Sequence, residues 1–88
     1  MIVELFGTDQ KAAELGATLE QVLGELSPPG GVTFYRVEDP AHMVGRGVWR
    51  SPGLALDGKV VCRGRVPTAA EIRGWLAAAA QKAGGPPG

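Results

Sequence analysis

The stretch from residue 47 to residue 64, GVWRSPGLALDGKVVCRG, decides the fold of this chain. An Asp57-Gly58 pair lies in it between two short apolar runs. Asp-Gly favours the two-residue type I′ turn, because both central residues of that turn take a positive φ. The stretch therefore predicts a β-hairpin. Alternation along its two strands predicts one shared face for four side chains: Leu54, Leu56, Val60 and Cys62.

Pro52 directly precedes the first strand of this hairpin, where a missing N–H breaks no ladder hydrogen bond. The peptide bond between Ser51 and Pro52 is compatible with either isomer, because X–Pro bonds prefer trans only weakly.

The residues before the hairpin predict a strand, a helix, a strand and a short helix. Residues 2–6 form an apolar run of strand length, and Gly7 ends it. Thr8 or Asp9 then caps a helix whose leucines and valines recur at helical spacing. Residues 32–37 are rich in β-branched and aromatic residues and predict the second strand. Asp39-Pro40 opens a short helix, with proline at its first position.

A capping box, Thr68 to Glu71, begins the last helix after the hairpin. The predicted order is βαβαββα, an α/β fold with a four-stranded mixed sheet flanked by helices. The first two strands pair in parallel through a right-handed crossover, and the last two form the antiparallel hairpin. We expect the long helices on one face of the sheet and the short helix on the other. We expect one domain over residues 1–83, followed by a disordered Gly/Pro tail at 84–88.

Composition restricts the function classes. The chain has 88 residues, zero formal net charge and a single cysteine. A neutral chain argues against a general nucleic-acid binder, and one cysteine excludes an internal disulfide. The chain has no apolar run of about 18 residues and no signal-like N-terminus. We therefore expect a cytoplasmic location and no membrane partner.

Charge is unevenly distributed along the chain. Residues 1–44 hold seven of the nine acidic residues, and residues 45–88 hold seven of the nine basic ones. This pattern is typical of two complementary solvated surfaces. The alternative is an anion or partner site built from four arginines: Arg46, Arg50, Arg63 and Arg65.

The run SPGLALDGKVVCRGRVPTAAEIRGWL, residues 51–76, resembles the C-terminal half of the small thioredoxin-like (glutaredoxin-like) redox-active disulfide proteins. The resemblance extends back through GVWR and, more weakly, to the opening MIVELFGT. It implies a thioredoxin-like fold. Members of that family carry a Cys-x-x-Cys pair before the first helix, where this chain reads GTDQKAAEL. The two cysteines would fall at Asp9 or Gln10 and at Ala12 or Ala13, so dithiol exchange is not available there.

The resemblance also implies a binding groove. In thioredoxin-like proteins the residue before a cis-proline offers backbone groups to an extended peptide or thiol ligand. Here that residue is Ser51, with Pro52 as the cis-proline. Such strand addition needs no thiol. The implied groove consists of Thr8, Asp9 and Gln10 on one wall and Trp49, Arg50, Ser51 and Pro52 on the other. The alternative is that Pro52 serves only the fold and that Trp49 is a core or half-buried residue.

Cys62 and His42 are the remaining candidates for chemistry. Cys62 has the spacing of a buried strand residue, so we interpret it as a small core side chain. If it were exposed, Arg63 and Arg65 would lower its pKa and make it a monothiol redox site. His42 has no neighbouring ligand in the sequence, so we predict no metal site.

We therefore interpret the chain as a thioredoxin-like protein without the redox dithiol, and as a non-catalytic binding or interaction module for a protein or extended peptide. The alternative is a relative of the thiol–disulfide oxidoreductases of cell redox homeostasis, acting through Cys62 or a partner's thiol. A third hypothesis is a homodimer that uses a sheet edge or Trp49. None of these hypotheses calls for a cofactor.

Overall fold

The computed structural model describes residues 1–27 and 30–84, with side chains as far as residue 79. Its elements follow the predicted βαβαββα order. They are β1 (Ile2–Phe6), α1 (Gln10–Leu26), β2 (Thr33–Val37), α2 (Pro40–Gly45), β3 (Gly53–Leu56), β4 (Lys59–Arg63) and α3 (Ala69–Gly84).

The four strands form one mixed sheet in the order β2-β1-β3-β4. β1 is parallel to β2 and antiparallel to β3, and β3 and β4 form an antiparallel hairpin. Asp57 and Gly58 have φ values of 50° and 85°, as a type I′ turn requires. The Asp57 carboxylate also accepts a hydrogen bond of 2.7 Å from the Ile2 amide, which ties the turn to the start of β1.

The prediction that Val60 and Cys62 share a face is wrong. Leu54 pairs with Cys62 and Ala55 pairs with Val60, so one residue of β4 between them has no partner of its own. This β-bulge breaks the period of two, because an extra residue shifts every following side chain to the other face. Cys62 packs in the core under α1 and α3, whereas Val60 packs on the opposite face.

The sheet has a hydrophobic core on each face. The larger core lies under α1 and α3, and the smaller one lies under α2. The smaller core contains Phe6, Val37, Met43, Val48 and Ala55. α2 has only six residues, so it covers only part of this face. The placement of the long and short helices on opposite faces is as predicted.

A salt bridge lies on the face that α2 covers only in part. The Arg46 guanidinium binds both carboxylate oxygens of Glu4, with Nη2 and Oε1 2.9 Å apart, and it also stacks over Phe6. Hydrogen bonding to Arg46 lowers the pKa of Glu4. The acidic residue that interrupts the apolar run of β1 is therefore partnered by a residue far along the chain.

The helix ends follow the sequence signals. Asp9 and Asp39 cap α1 and α2, and each side chain accepts a backbone N–H of the first turn. The Thr68–Glu71 capping box begins α3, with the Glu71 amide donating to the Thr68 hydroxyl over 3.2 Å. Hydrogen bonds from the Arg65 guanidinium and the Thr68 amide lower the pKa of Glu71 to about 2.

Across the described residues, none of the helices has both the length and the apolar character needed to cross a bilayer.

Two predictions concern residues at the margins of the described chain. α1 ends at Leu26, and its C-cap Ser27 adopts the left-handed conformation. The prolines of the predicted turn at 28–29 lie outside the described residues. α3 includes Gly84, so the first residue of the predicted tail is helical. Residues 85–88 lie outside the described residues.

Candidate binding groove

The N-terminus of α1 and the loop before β3 meet beyond the C-terminal end of β1. A cleft of about 330 Å³ lies between them. We call this cleft the groove. It contains four of the seven residues predicted for the site, which are Thr8, Asp9, Trp49 and Ser51. Its apolar lining comes from α2 and the segment after it, with Met43, Val44 and Val48.

The sequence did not indicate the apolar lining of the groove. Met43 and Val48 lie five residues apart and are brought together because the Val48 amide donates to the Met43 carbonyl over 2.9 Å. The only local signal was the length of α2. A helix that stops at Gly45 leaves residues 46–48 to fold back against it.

A hydrogen-bonded carboxylate lies at the entrance to α1. Asp9 Oδ1 accepts from the Ala12 amide over 3.0 Å and from the Ser51 hydroxyl over 2.8 Å. The Ala12 amide, and next the Ser51 hydroxyl, lower the pKa of Asp9, because both stabilise the charged form. The negatively charged carboxylate of Asp9 therefore links the two walls of the groove by hydrogen bonds.

This geometry distinguishes between the two possible positions of the missing cysteines. Asp9 is the N-cap of α1, and its side chain reaches the amide of Ala12, three residues later. Helix N-terminal amides of this kind stabilise a thiolate in Cys-x-x-Cys proteins. The geometry therefore favours Asp9 and Ala12 over Gln10 and Ala13 as the equivalents of the cysteines.

Gly7 brings the two walls into contact. It has a φ of 113°, and a methyl group on its Cα would overlap the Ser51 hydroxyl. Only glycine combines this backbone conformation with so close an approach. Gly7 also donates its amide to the Val37 carbonyl over 3.0 Å, which fixes the end of β1 to β2.

The loop at Ser51 has backbone groups that make no hydrogen bond within the described part of the chain. The Ser51–Pro52 peptide bond is cis. Among the hydrogen bonds of the described residues, none uses the backbone N–H or C=O of Trp49, Arg50 or Ser51. Pro52 is buried, and its carbonyl accepts from the Gly64 amide over 2.7 Å, which anchors this loop to the end of β4.

A sequence model described as thioredoxin domain matches residues 2–77, which is most of the chain. The chain belongs to the thioredoxin domain family. The thioredoxin-like fold implied by residues 51–76 is thereby confirmed. No curated protein sequence matches the chain.

In this thioredoxin domain Trp49 is not a core residue. It is 73% exposed, so the alternative that made it a core or half-buried residue is wrong. The ring lies between the groove and a second cleft of about 210 Å³, which we call the basic cleft. The basic cleft is lined by Trp49, Arg50, Arg63 and Gly64.

The other predicted site residues have different surroundings. Gln10 is exposed at the start of α1 and does not line the groove. The four predicted arginines do not form a common anion site. Carboxylates neutralise Arg46, through Glu4, and Arg65, through Glu71.

Cys62 lies on the opposite side of the sheet from the groove's apolar lining. It is 5% exposed, belongs to the core under α1 and α3, and donates its thiol to the Arg65 carbonyl over 3.3 Å. Burial raises the pKa of the Cys62 thiol, and the opposing charge of Arg65 is the smaller effect. The exposed His42 is on α2, and within the described part of the chain no three His, Cys, Asp or Glu side chains are grouped to hold a metal ion.

Proposed function

We propose that this thioredoxin domain is a non-catalytic binding module that takes an extended segment of a protein partner in the groove. The observation that carries the proposal is the unpaired backbone of residues 49–51, which lies beside an apolar cleft and an exposed tryptophan. A peptide in extended conformation pairs with such a backbone by main-chain hydrogen bonds, and adjacent pockets select its side chains. Met43 and Val48 offer such a pocket.

The chemistry of the groove supports binding rather than thiol exchange. Thiol–disulfide exchange requires a thiolate that attacks a disulfide sulfur. The groove presents a carboxylate at Asp9, which is held by the Ala12 amide and the Ser51 hydroxyl and has no such reactivity. The same hydrogen bonds that would stabilise a thiolate here stabilise a permanent anion.

If the oxidoreductase alternative uses a thiol of this chain rather than a partner's, that thiol is Cys62, because the chain has no other cysteine. A buried thiol with a raised pKa has little thiolate at neutral pH and little contact with a substrate disulfide. Cys62 also lies in the core under α1 and α3, away from the groove's apolar lining. These features argue for a core role of Cys62.

The proposal is tested by selecting linear peptides from a random display library on the wild-type protein. Trp49→Ala is expected to weaken the selected peptides by about 30-fold, since a central tryptophan typically contributes about 2 kcal/mol to an interface. Tyr35→Ala is the matched control, because Tyr35 is also exposed, at 54%, but lies on the edge strand β2. Cys62→Ser is expected to leave binding unchanged.

Two results would count against the proposal. One is a set of peptides that binds Trp49→Ala as tightly as wild type. The other is a loss of binding in Cys62→Ser when its thermal unfolding is unaltered, which would favour the oxidoreductase alternative.

A further inference from the structure

Two arginines beside the groove lack an acidic partner. In the described residues, Arg46, Arg65 and Arg73 each form a salt bridge, whereas Arg50 and Arg63 form none. Both of these line the basic cleft, together with Trp49. No carboxylate of the described residues therefore neutralises the charge of the cleft, although the chain as a whole has zero net charge.

The basic cleft is held at a fixed place next to the groove. Arg63 Nη1 donates to the Gly47 carbonyl over 3.3 Å. The Gly64 amide donates to the Pro52 carbonyl over 2.7 Å, so the end of β4 is joined to the loop that carries Ser51. Arg50 is the immediate neighbour of Ser51 in the chain. Trp49 lines both clefts, so a bound segment that continues from the groove across Trp49 reaches Arg50 and Arg63.

We propose that the segment bound by this domain carries aspartate or glutamate side chains that are seated in the basic cleft. The groove itself takes an apolar side chain of that segment, because the carboxylates of Asp9 and Glu38 line it and would repel an acidic one. This inference rests on the proposed function and adds the chemistry of the partner. Arg50 and Arg63 bind the carboxylates by charge-assisted hydrogen bonds, for which the planar guanidinium is well suited. Residues directly opposite in paired strands have Cβ atoms about 5 Å apart, so a carboxylate opposite Arg50 lies within its reach.

Trp49 connects the two parts of this surface. It lines both clefts, so a segment that occupies both of them contacts this residue. Tryptophan and arginine are the residue types that most often dominate binding energy at interfaces. The preference for acidic segments arises locally, since a neutral protein exerts no long-range attraction on an acidic peptide.

The test uses the random linear peptide library and fluorescein-labelled versions of the enriched peptides. Peptides enriched on wild type are expected to contain aspartate or glutamate, and their affinity should fall at least about tenfold when those residues become asparagine or glutamine. Arg50→Gln with Arg63→Gln is expected to remove this difference between acidic and amide peptides. Arg36→Gln with Lys59→Gln is the control, since it removes the same charge from exposed residues that line neither cleft.

Four results separate the claims. Acidic peptides that require Arg50 and Arg63 support the inference. Neutral peptides that require Trp49 overturn it and leave the proposed function intact. If no selected peptide requires Trp49, both the inference and the proposed function are overturned. An oligothymidylate of eight nucleotides that binds as tightly as the acidic peptides, and with the same arginine dependence, also overturns it, because the cleft would then bind anions in general.

Discussion

Replacing Asp9 and Ala12 together by cysteine is expected to give the chain a reversible internal disulfide and disulfide-reductase activity. Asp9 is the N-cap of α1, and its side chain already reaches the Ala12 amide. A thiolate at residue 9 would accept a hydrogen bond from that amide and lie at the positive end of the helix. Such surroundings lower thiol pKa values from about 8.5 into the range of roughly 3.5–7.5. The measurement is the rate at which the variant catalyses reduction of a protein disulfide by dithiothreitol.

Gln10→Cys with Ala13→Cys is the matched control. It has the same spacing and lies in the same turn, but Gln10 and Ala13 are both exposed, and Gln10 does not line the groove. We expect this control to be at least about tenfold slower than Asp9→Cys with Ala12→Cys, because its thiols do not face Ser51. Equal or greater activity in the control would show that the assignment of Asp9 and Ala12 to the cysteine positions is wrong.

Gly7→Ala is expected to lower the free energy of unfolding by about 3 kcal/mol, as measured by urea denaturation. Two effects combine. A φ of 113° is strained for any residue with a Cβ, and the new methyl group would overlap the Ser51 hydroxyl. Since small domains have total stabilities of about 5–15 kcal/mol, this loss is a large share.

Gly24→Ala, the same substitution within α1, is expected to have the opposite sign. A Cβ at Gly24 meets no atom within 4 Å, so the helix gains up to about 1 kcal/mol of stability.

Combining Gly7→Ala with Ser51→Gly separates the two effects at Gly7, because Ser51→Gly removes the overlap and leaves the backbone strain. If Gly7→Ala is as stable as wild type, the close contact between the groove walls does not exist.

The local signals of the sequence were sufficient for most of the fold. Asp57-Gly58 favours a tight turn, and Thr68 with Glu71 favours the start of a helix. Both signals act between residues that are close in sequence. Element order then restricts the sheet to few topologies, because crossover connections have a fixed hand.

Long-range contacts were not predictable in this way. The partner of Glu4 is Arg46, 42 residues away, and the partner of Asp9 is Ser51, also 42 residues away. The bulge in β4 depends on how the hairpin ladder is paired, and no residue type in KVVCR marks it. The predicted shared face of Val60 and Cys62 failed for this reason.

The candidate site shows the same division. The resemblance in residues 51–76 located Ser51 and its neighbours, and the structure brings Thr8, Asp9, Trp49 and Ser51 to one cleft. Which arginines form salt bridges could not be predicted from the sequence, because this depends on which carboxylates the fold places next to them. The exposure of Trp49 likewise depends on tertiary packing, since tryptophan is more often buried.

The most direct test of the binding function is the hydrogen exchange of the Ser51 amide, measured by NMR with and without a peptide selected on the wild-type protein. Main-chain pairing in the groove predicts that exchange at Ser51 slows by at least about tenfold, because a free N–H becomes hydrogen-bonded. A bound peptide that leaves exchange at Ser51 unchanged, and instead protects amides along the exposed edges of β2 or β4, would contradict binding in the groove.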